Sequence, residues 1–142
     1  MSLEELGSTV GEEGSVDLVT VAQALHWFDL HTFYGHVKHV LRKPGGVFAA
    51  WCYREPVVNP SVDRVFDDLY RASAPFWDPA RQIVDDEYAT LSFPFRSVVQ
   101  EGSEEEELTT DPIKFWAKKE MGLDGYMTYL RSWSAYQTAN AA

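Results

Sequence analysis

The pair His26-Trp27, preceded by Gln23 and Ala24, brings together the residue types in this sequence best suited to chemistry. An imidazole can serve as a general base near neutral pH, and an indole presents a π-face that attracts a cation. The competing reading is an aromatic plug that shapes a loop, and on residue types alone that reading is the stronger. His31, His36 and His39 invite a metal-ligand reading. On a helix starting after Asp29, however, they point away from the apolar stripe and in differing directions, so no metal site is expected. The run Glu104 to Glu107 reads as a solvated charged face, and Cys52 as a packed strand residue rather than a nucleophile. Trp116, Tyr126, Tyr129 and Trp133 read as core or lid packing.

The elements that must position His26 and Trp27 are legible on either side of them. Val16 to Ala22 is a short, mostly apolar, β-branched run that predicts a strand buried on both faces. Asp29 can cap a helix whose apolar residues Leu30, Phe33, Tyr34, Val37 and Leu41 fall on one stripe. Arg42 and Lys43 suit the negative end of that helix, and Pro44-Gly45-Gly46 ends it. Val47 to Tyr53 predicts a second buried strand. Strand, helix and strand with a short glycine-rich return predict a right-handed βαβ unit with parallel strands in an α/β sheet.

Further along, Asn59 followed by Pro60 predicts the start of a helix with Val62, Val65, Phe66, Leu69 and Tyr70 on its apolar side. Residues 74–95 predict a structured loop with one short helix, of the kind that covers sites. Ser97 to Leu108 predicts a hairpin or two edge strands, Asp111-Pro112 the start of another helix, and Asp124 the start of a last one. Residues 1–15 mix acids with glycines and serines and read as turns.

Charge and composition narrow the partners. Twelve basic residues against 22 acidic ones leave a net charge of −10. Five acids fall in residues 1–20 and six in residues 101–111, with no base in either, so the rest of the chain is near neutral. Without a basic stripe, nucleic acid and anionic membrane are not expected partners. The single cysteine points to a reducing, cytoplasmic location. The longest apolar run, Val47 to Tyr53, is far short of the ~18 residues that span a membrane. With 8 Phe, 5 Trp and 7 Tyr, the chain has the material for a packed core.

Several separated segments agree in order with one family. Val16-Asp17-Leu18-Val19, Ala22-Gln23-Ala24-Leu25-His26-Trp27-Phe28-Asp29 and Val40 to Val47 resemble the fourth strand, helix and fifth strand of class I S-adenosylmethionine-dependent methyltransferases of the type 11 group. The Ala-Gln-Ala-x-His-Trp-Phe-Asp form is similar to the trans-aconitate-methyltransferase-like branch and its plant embryo-abundant-protein relatives. Phe76-Trp77-Asp78-Pro79, Phe93-Pro94-Phe95 and Leu130 to Tyr136 also resemble that branch.

The resemblance implies an α/β, Rossmann-like methyltransferase sheet that is incomplete: strands 4 to 7 with flanking helices, without the first strands and the Gly-rich cofactor loop. It would be a single partial domain over 1–142, with a loop and βαβ core at 1–53, a helix and aromatic loop at 54–96, and edge strands and C-terminal helices at 97–142. The loop after the fourth strand faces the methionine end of the cofactor in such enzymes, which implies Gln23, Ala24, His26 and Trp27 as S-adenosylmethionine contacts. Ser2 to Leu6 resembles the loop after the third strand, which implies Leu3 and Glu4 near the adenine. His26 is the candidate for catalysis, although methyl transfer needs mainly in-line positioning and desolvation.

The implied reaction is methyl transfer to a small molecule, a carboxylate by the family's habit, impaired or absent in this chain alone. The alternative is a non-catalytic truncated paralogue acting as a protein-interaction module. In the family strand order 3-2-1-4-5-7-6 the strand at 16–22 would lose its neighbour. Self-association, a partner chain or residues 1–15 folding back are then expected to cover it.

Overall fold

Ser2 and Glu5 open the chain with a reciprocal cap: the Ser2 hydroxyl accepts from Glu5 N–H at 3.2 Å, and Glu5 Oε2 accepts from Ser2 N–H at 2.7 Å. Two donors that a helix start leaves unpaired are thereby satisfied. A helix, α1 (Leu3–Thr9), results where the sequence reading expected turns. The computed structural model describes residues 2–98 and 112–141. The described residues of 1–53 and 83–112 form one compact unit, and those of 54–82 and 113–142 a second.

In the first unit, β1 (Leu18–Ala22) is followed by α2 (Leu30–Val40) and β2 (Val47–Trp51). The two strands pair in parallel, Leu18 with Val47 through to Ala22 with Trp51, which is the expected strand, helix, strand unit. Among the described residues the sheet holds these two strands, so it is a partial sheet with helices. Leu41 is not helical as its place on the stripe suggested. It is extended and makes a parallel bridge to Val16, because the chain must come back level with β1 before β2 begins. Arg42 and Lys43 lie beyond the helix end and pair with Asp17 and Glu13. The turn closes through Gly46, where a Cβ would lie 2.6 Å from the Arg42 carbonyl oxygen.

The two faces of this sheet differ. Val19, Val21, Phe48 and Ala50 point inward to a core of Val21, Leu25, Tyr34, Val84 and Tyr88, closed over by Phe93 and Phe95 from the later part of the unit. Leu25 and Val84 are fully buried, and each such side chain stabilises the fold by ~1.5–3 kcal/mol. Leu18, Thr20 and Ala22 with their partners Val47 and Trp51 form the other face, where Leu18 is 55% and Trp51 39% exposed. The expectation of a strand buried on both faces is thus met on one face only. Among the described residues, Leu18, Val47 and Trp51 on the other face stay exposed. Cys52 packs against the core, as expected of a strand residue. Helix α1 packs against α2, and its Leu6 is buried.

The second unit starts from α3 (Pro60–Ser73), capped as expected: Asn59 Oδ1 accepts from the N–H groups of Ser61 and Val62, both at 3.1 Å, with Pro60 in the first turn. Phe66 and Tyr70 on α3 meet Trp133, which also contacts Trp77 at a centroid distance of 5.4 Å. Arg81 lies over the Trp77 ring and donates to Glu55 at 3.1 Å. The expected structured loop after α3 is two 3-10 turns, Ala74–Phe76 and Pro79–Arg81, leading into the four-residue helix α4 (Gln82–Asp85). Near the end, α5 (Leu123–Arg131) and α6 (Ser134–Ala141) bury Leu130 and Ala135.

The helix expected after Pro112 does not form; residues 112–122 are irregular. Ile113, Phe115 and Trp116 are 69–83% exposed, and a short helix without a face to bury is marginal in water. Apart from Ser97 and Val98, which are irregular, the expected edge strands lie outside the described residues. No helix among the described residues is long and apolar enough to cross a membrane.

Candidate functional site

The chain leaves β1 through a sharp corner at its carboxyl end, the end at which open parallel sheets bind ligands. Gln23 is in the left-handed region, φ +54°, and its N–H donates to Trp51 O at 2.9 Å. Its carboxamide holds Tyr53 from both sides, accepting from the Tyr53 N–H at 2.8 Å and donating to Tyr53 O at 3.1 Å. Ala24 then leads into a single 3-10 turn, Leu25–Trp27. Leu25 plugs the core with none of its surface exposed. That anchor leaves its neighbours outward: His26 is half-buried and Trp27 is 54% exposed, their rings 4.6 Å apart and tilted by 50°.

Tyr88 backs the histidine. Its hydroxyl lies 3.5 Å from His26 Nδ1, at the outer limit of a hydrogen bond. Burial pushes the Tyr88 phenol above its ordinary value and the neighbouring Cys52 adds to the rise, while a backbone hydrogen bond from Leu25 opposes it. The phenol therefore stays protonated at neutral pH and can donate to the imidazole. Tyr88 is itself left-handed, φ +61°, directly after Glu87 at +57°. These two residues swing the chain from α4 back under the corner. At the start of α2, Asp29 accepts from the Thr32 hydroxyl at 2.6 Å, which with backbone donors holds its carboxyl below the usual aspartate range.

Of the residues singled out by sequence, Gln23, Ala24, His26 and Trp27 stand together at this corner. Leu3 and Glu4 stand on the first turn of α1, and among the described residues no hydrogen bond or ion pair links them to it. His31 is exposed, and His36 and His39 are half-buried, along α2. Sequence reasoning missed Tyr88 and the hold of Gln23 on Tyr53. Both are long-range pairings made by residues outside periodic segments, so hydrophobic spacing carries no trace of them.

An exposed indole beside a half-buried imidazole, at the carboxyl end of a parallel strand, suits a cationic ligand stacked on the ring with a weak base at its edge. Comparison with known proteins bears on what that ligand is. A Dictyostelium discoideum protein whose name proposes a methyltransferase is 34% identical over 127 residues, which is 87% of this chain and 43% of that protein. A solved structure from Anaeromyxobacter dehalogenans, whose description proposes a type II methyltransferase, is 34% identical and superposes with a TM-score of 0.67 over 96% of this chain and 55% of that one. These homologues support a methyltransferase family. No protein-family model matches the chain. The chain spans about half the length, or less, of the two relatives.

The corner fits one end of S-adenosylmethionine, since Trp27 offers a π-face to a sulfonium and His26 a polar edge. Among the described residues no glycine-rich turn links a strand to a following helix, and Gly11 and Gly14, with φ of +141° and +71°, lie between α1 and β1. Methyltransferase chemistry supplied by the cofactor would be transfer of its sulfonium methyl group to an acceptor in line.

Proposed function

We propose that this chain is the half of an S-adenosylmethionine-dependent methyltransferase sheet that faces the methionine end of the cofactor, acting on a small-molecule acceptor. One observation carries the reading: the 3-10 turn at the carboxyl end of β1 exposes Trp27 beside His26 while Leu25 beneath them is fully buried. A rigidly anchored corner of this kind holds a ring in place at little entropic cost when a ligand arrives. Trp27 stacks on the sulfonium side of the cofactor, His26 lines the same end, and the backbone at Ala24 gives close approach. Leu3 and Glu4 remain proposed adenine-side residues.

The same reading predicts that the chain alone holds the cofactor poorly. A close-approaching glycine turn and an acid for the ribose hydroxyls supply much of the affinity in dinucleotide-type sites. The edge of β1 is where further strands of the sheet would pair and its exposed face is where helices would pack, brought by a partner chain, by a second copy or by further sequence of the same protein. That uncovered face also favours the second reading, a protein-interaction module without catalysis.

Calorimetric titration separates the readings. S-adenosylmethionine added to the isolated chain is expected to give no micromolar binding. Added after the chain is joined to the portion of the Dictyostelium relative that it does not cover, it is expected to bind. If the joined protein folds and still fails to bind, the interaction-module reading takes its place.

A further inference from the structure

Beyond the pair Ala22 with Trp51, the β1–β2 ladder continues by one backbone bond, Gln23 N–H to Trp51 O, and then the two chains part. The next rung would ordinarily need a peptide group of β1 opposite Tyr53. Here the carboxamide of Gln23 stands in for it, accepting from Tyr53 N–H at 2.8 Å and donating to Tyr53 O at 3.1 Å. A primary amide carries donor and acceptor on one planar group, as a pair of peptides would present them. A carboxylate lacks the donor, and Asn is one methylene shorter. Because the side chain satisfies Tyr53, the main chain is free to leave the sheet, and it does so within a single left-handed residue. The 3-10 turn of Leu25–Trp27 follows after one further residue, Ala24.

We propose that Gln23 is a positioning residue: its carboxamide latches Tyr53 and so sets the His26–Trp27 turn over the carboxyl ends of β1 and β2. This departs from the direct cofactor contact that resemblance implied for Gln23, since its carboxamide is engaged by Tyr53. The purpose assigned to the latch rests on the methyltransferase reading above. The latch itself is a property of the ligand-free chain.

The test is amide exchange and proton NMR on the full chain without ligand, comparing wild type with Gln23→Ala and Gln23→Glu. In Gln23→Ala the Tyr53 amide is expected to exchange about tenfold faster, the effect of losing one typical hydrogen bond. The mutual ring-current shifts of His26 and Trp27 should fall toward random-coil values, while amides of α1 and α6 keep their wild-type protection. Gln23→Glu supplies a rescue. A protonated carboxyl has both the O–H donor and the carbonyl acceptor, so it restores the latch at low pH. Ionisation removes the donor and sets a charged oxygen against Tyr53 O. The His26–Trp27 shifts of Gln23→Glu should therefore match those of wild type at the same pH while the introduced carboxyl is protonated, and depart from them as it ionises.

Should Gln23→Ala fail to fold, the pH profile of Gln23→Glu decides alone. Unchanged His26–Trp27 shifts in folded variants, with only the Tyr53 amide affected, would overturn the proposal and leave Gln23 as a tie between strand ends. None of these readouts involves S-adenosylmethionine, so a failure of the methyltransferase reading would show in the titration and not here.

Discussion

The inner and outer faces of the β1–β2 sheet are both largely apolar and meet different fates. On the inner face Phe48 contacts Phe33, Tyr34, Phe93 and Phe95, with ring centroids 5.2–6.2 Å apart, and Val21 is 7% exposed. On the outer face Leu18, Val47 and Trp51 remain 37–55% exposed. Apolar composition on both faces is the mark of a strand meant to lie inside a sheet covered on both sides. The difference is therefore not in β1 and β2 but in what surrounds them. The two relatives are roughly twice as long as this chain.

Substitutions in the packed core and on the outer face test this comparison. The largest effect is expected at Leu25, where truncation to Ala removes the fully buried anchor of the corner and should cost about 2–5 kcal/mol by denaturant unfolding. Tyr34 gives a smaller effect of opposite sign. Its hydroxyl is buried with no hydrogen-bond partner among the described residues, and burial pushes its phenol above the ordinary value. Tyr34→Phe removes that unpaired group and should stabilise the chain by about 1 kcal/mol. Smallest of all is Leu18→Ser on the outer face, expected to stay within about 0.5 kcal/mol of wild type in the isolated chain. A cost at Leu18 comparable to that at Leu25 would break the comparison, because it would mean that the outer face is covered after all.

How much of this was legible in the sequence follows from which interactions are local. The β1, α2, β2 order, the Asn59-Pro60 start of α3 and the helix beginning near Asp124 were readable, because caps and apolar stripes act over a few residues. The Ser2-Leu3-Glu4-Glu5 cap is equally local, since Ser followed three residues later by Glu is a helix-start signature, but the glycines and serines around it give a competing turn signal. Pro112 misled in the other direction. A cap and a proline announce a helix only where the apolar residues after them have a surface to meet, and Ile113, Phe115 and Trp116 stay exposed among the described residues.

At the corner, His26 and Trp27 could be named from sequence, but what holds them could not. Gln23 finds Tyr53 across 30 residues, and His26 finds Tyr88 across 62. Both pairings depend on how β1, β2 and the returning segment come together. Leu25 was visible only as one apolar residue in a loop, yet its burial is what turns its two neighbours outward.

The central claim is that this corner receives the sulfonium end of S-adenosylmethionine once the rest of the sheet is in place. Proton NMR on the chain joined to the uncovered portion of the Dictyostelium relative measures this directly. Adding S-adenosylmethionine should shift the Trp27 indole and the His26 ring protons. Saturable binding with Trp27 and His26 unmoved would contradict the account and place the cofactor elsewhere.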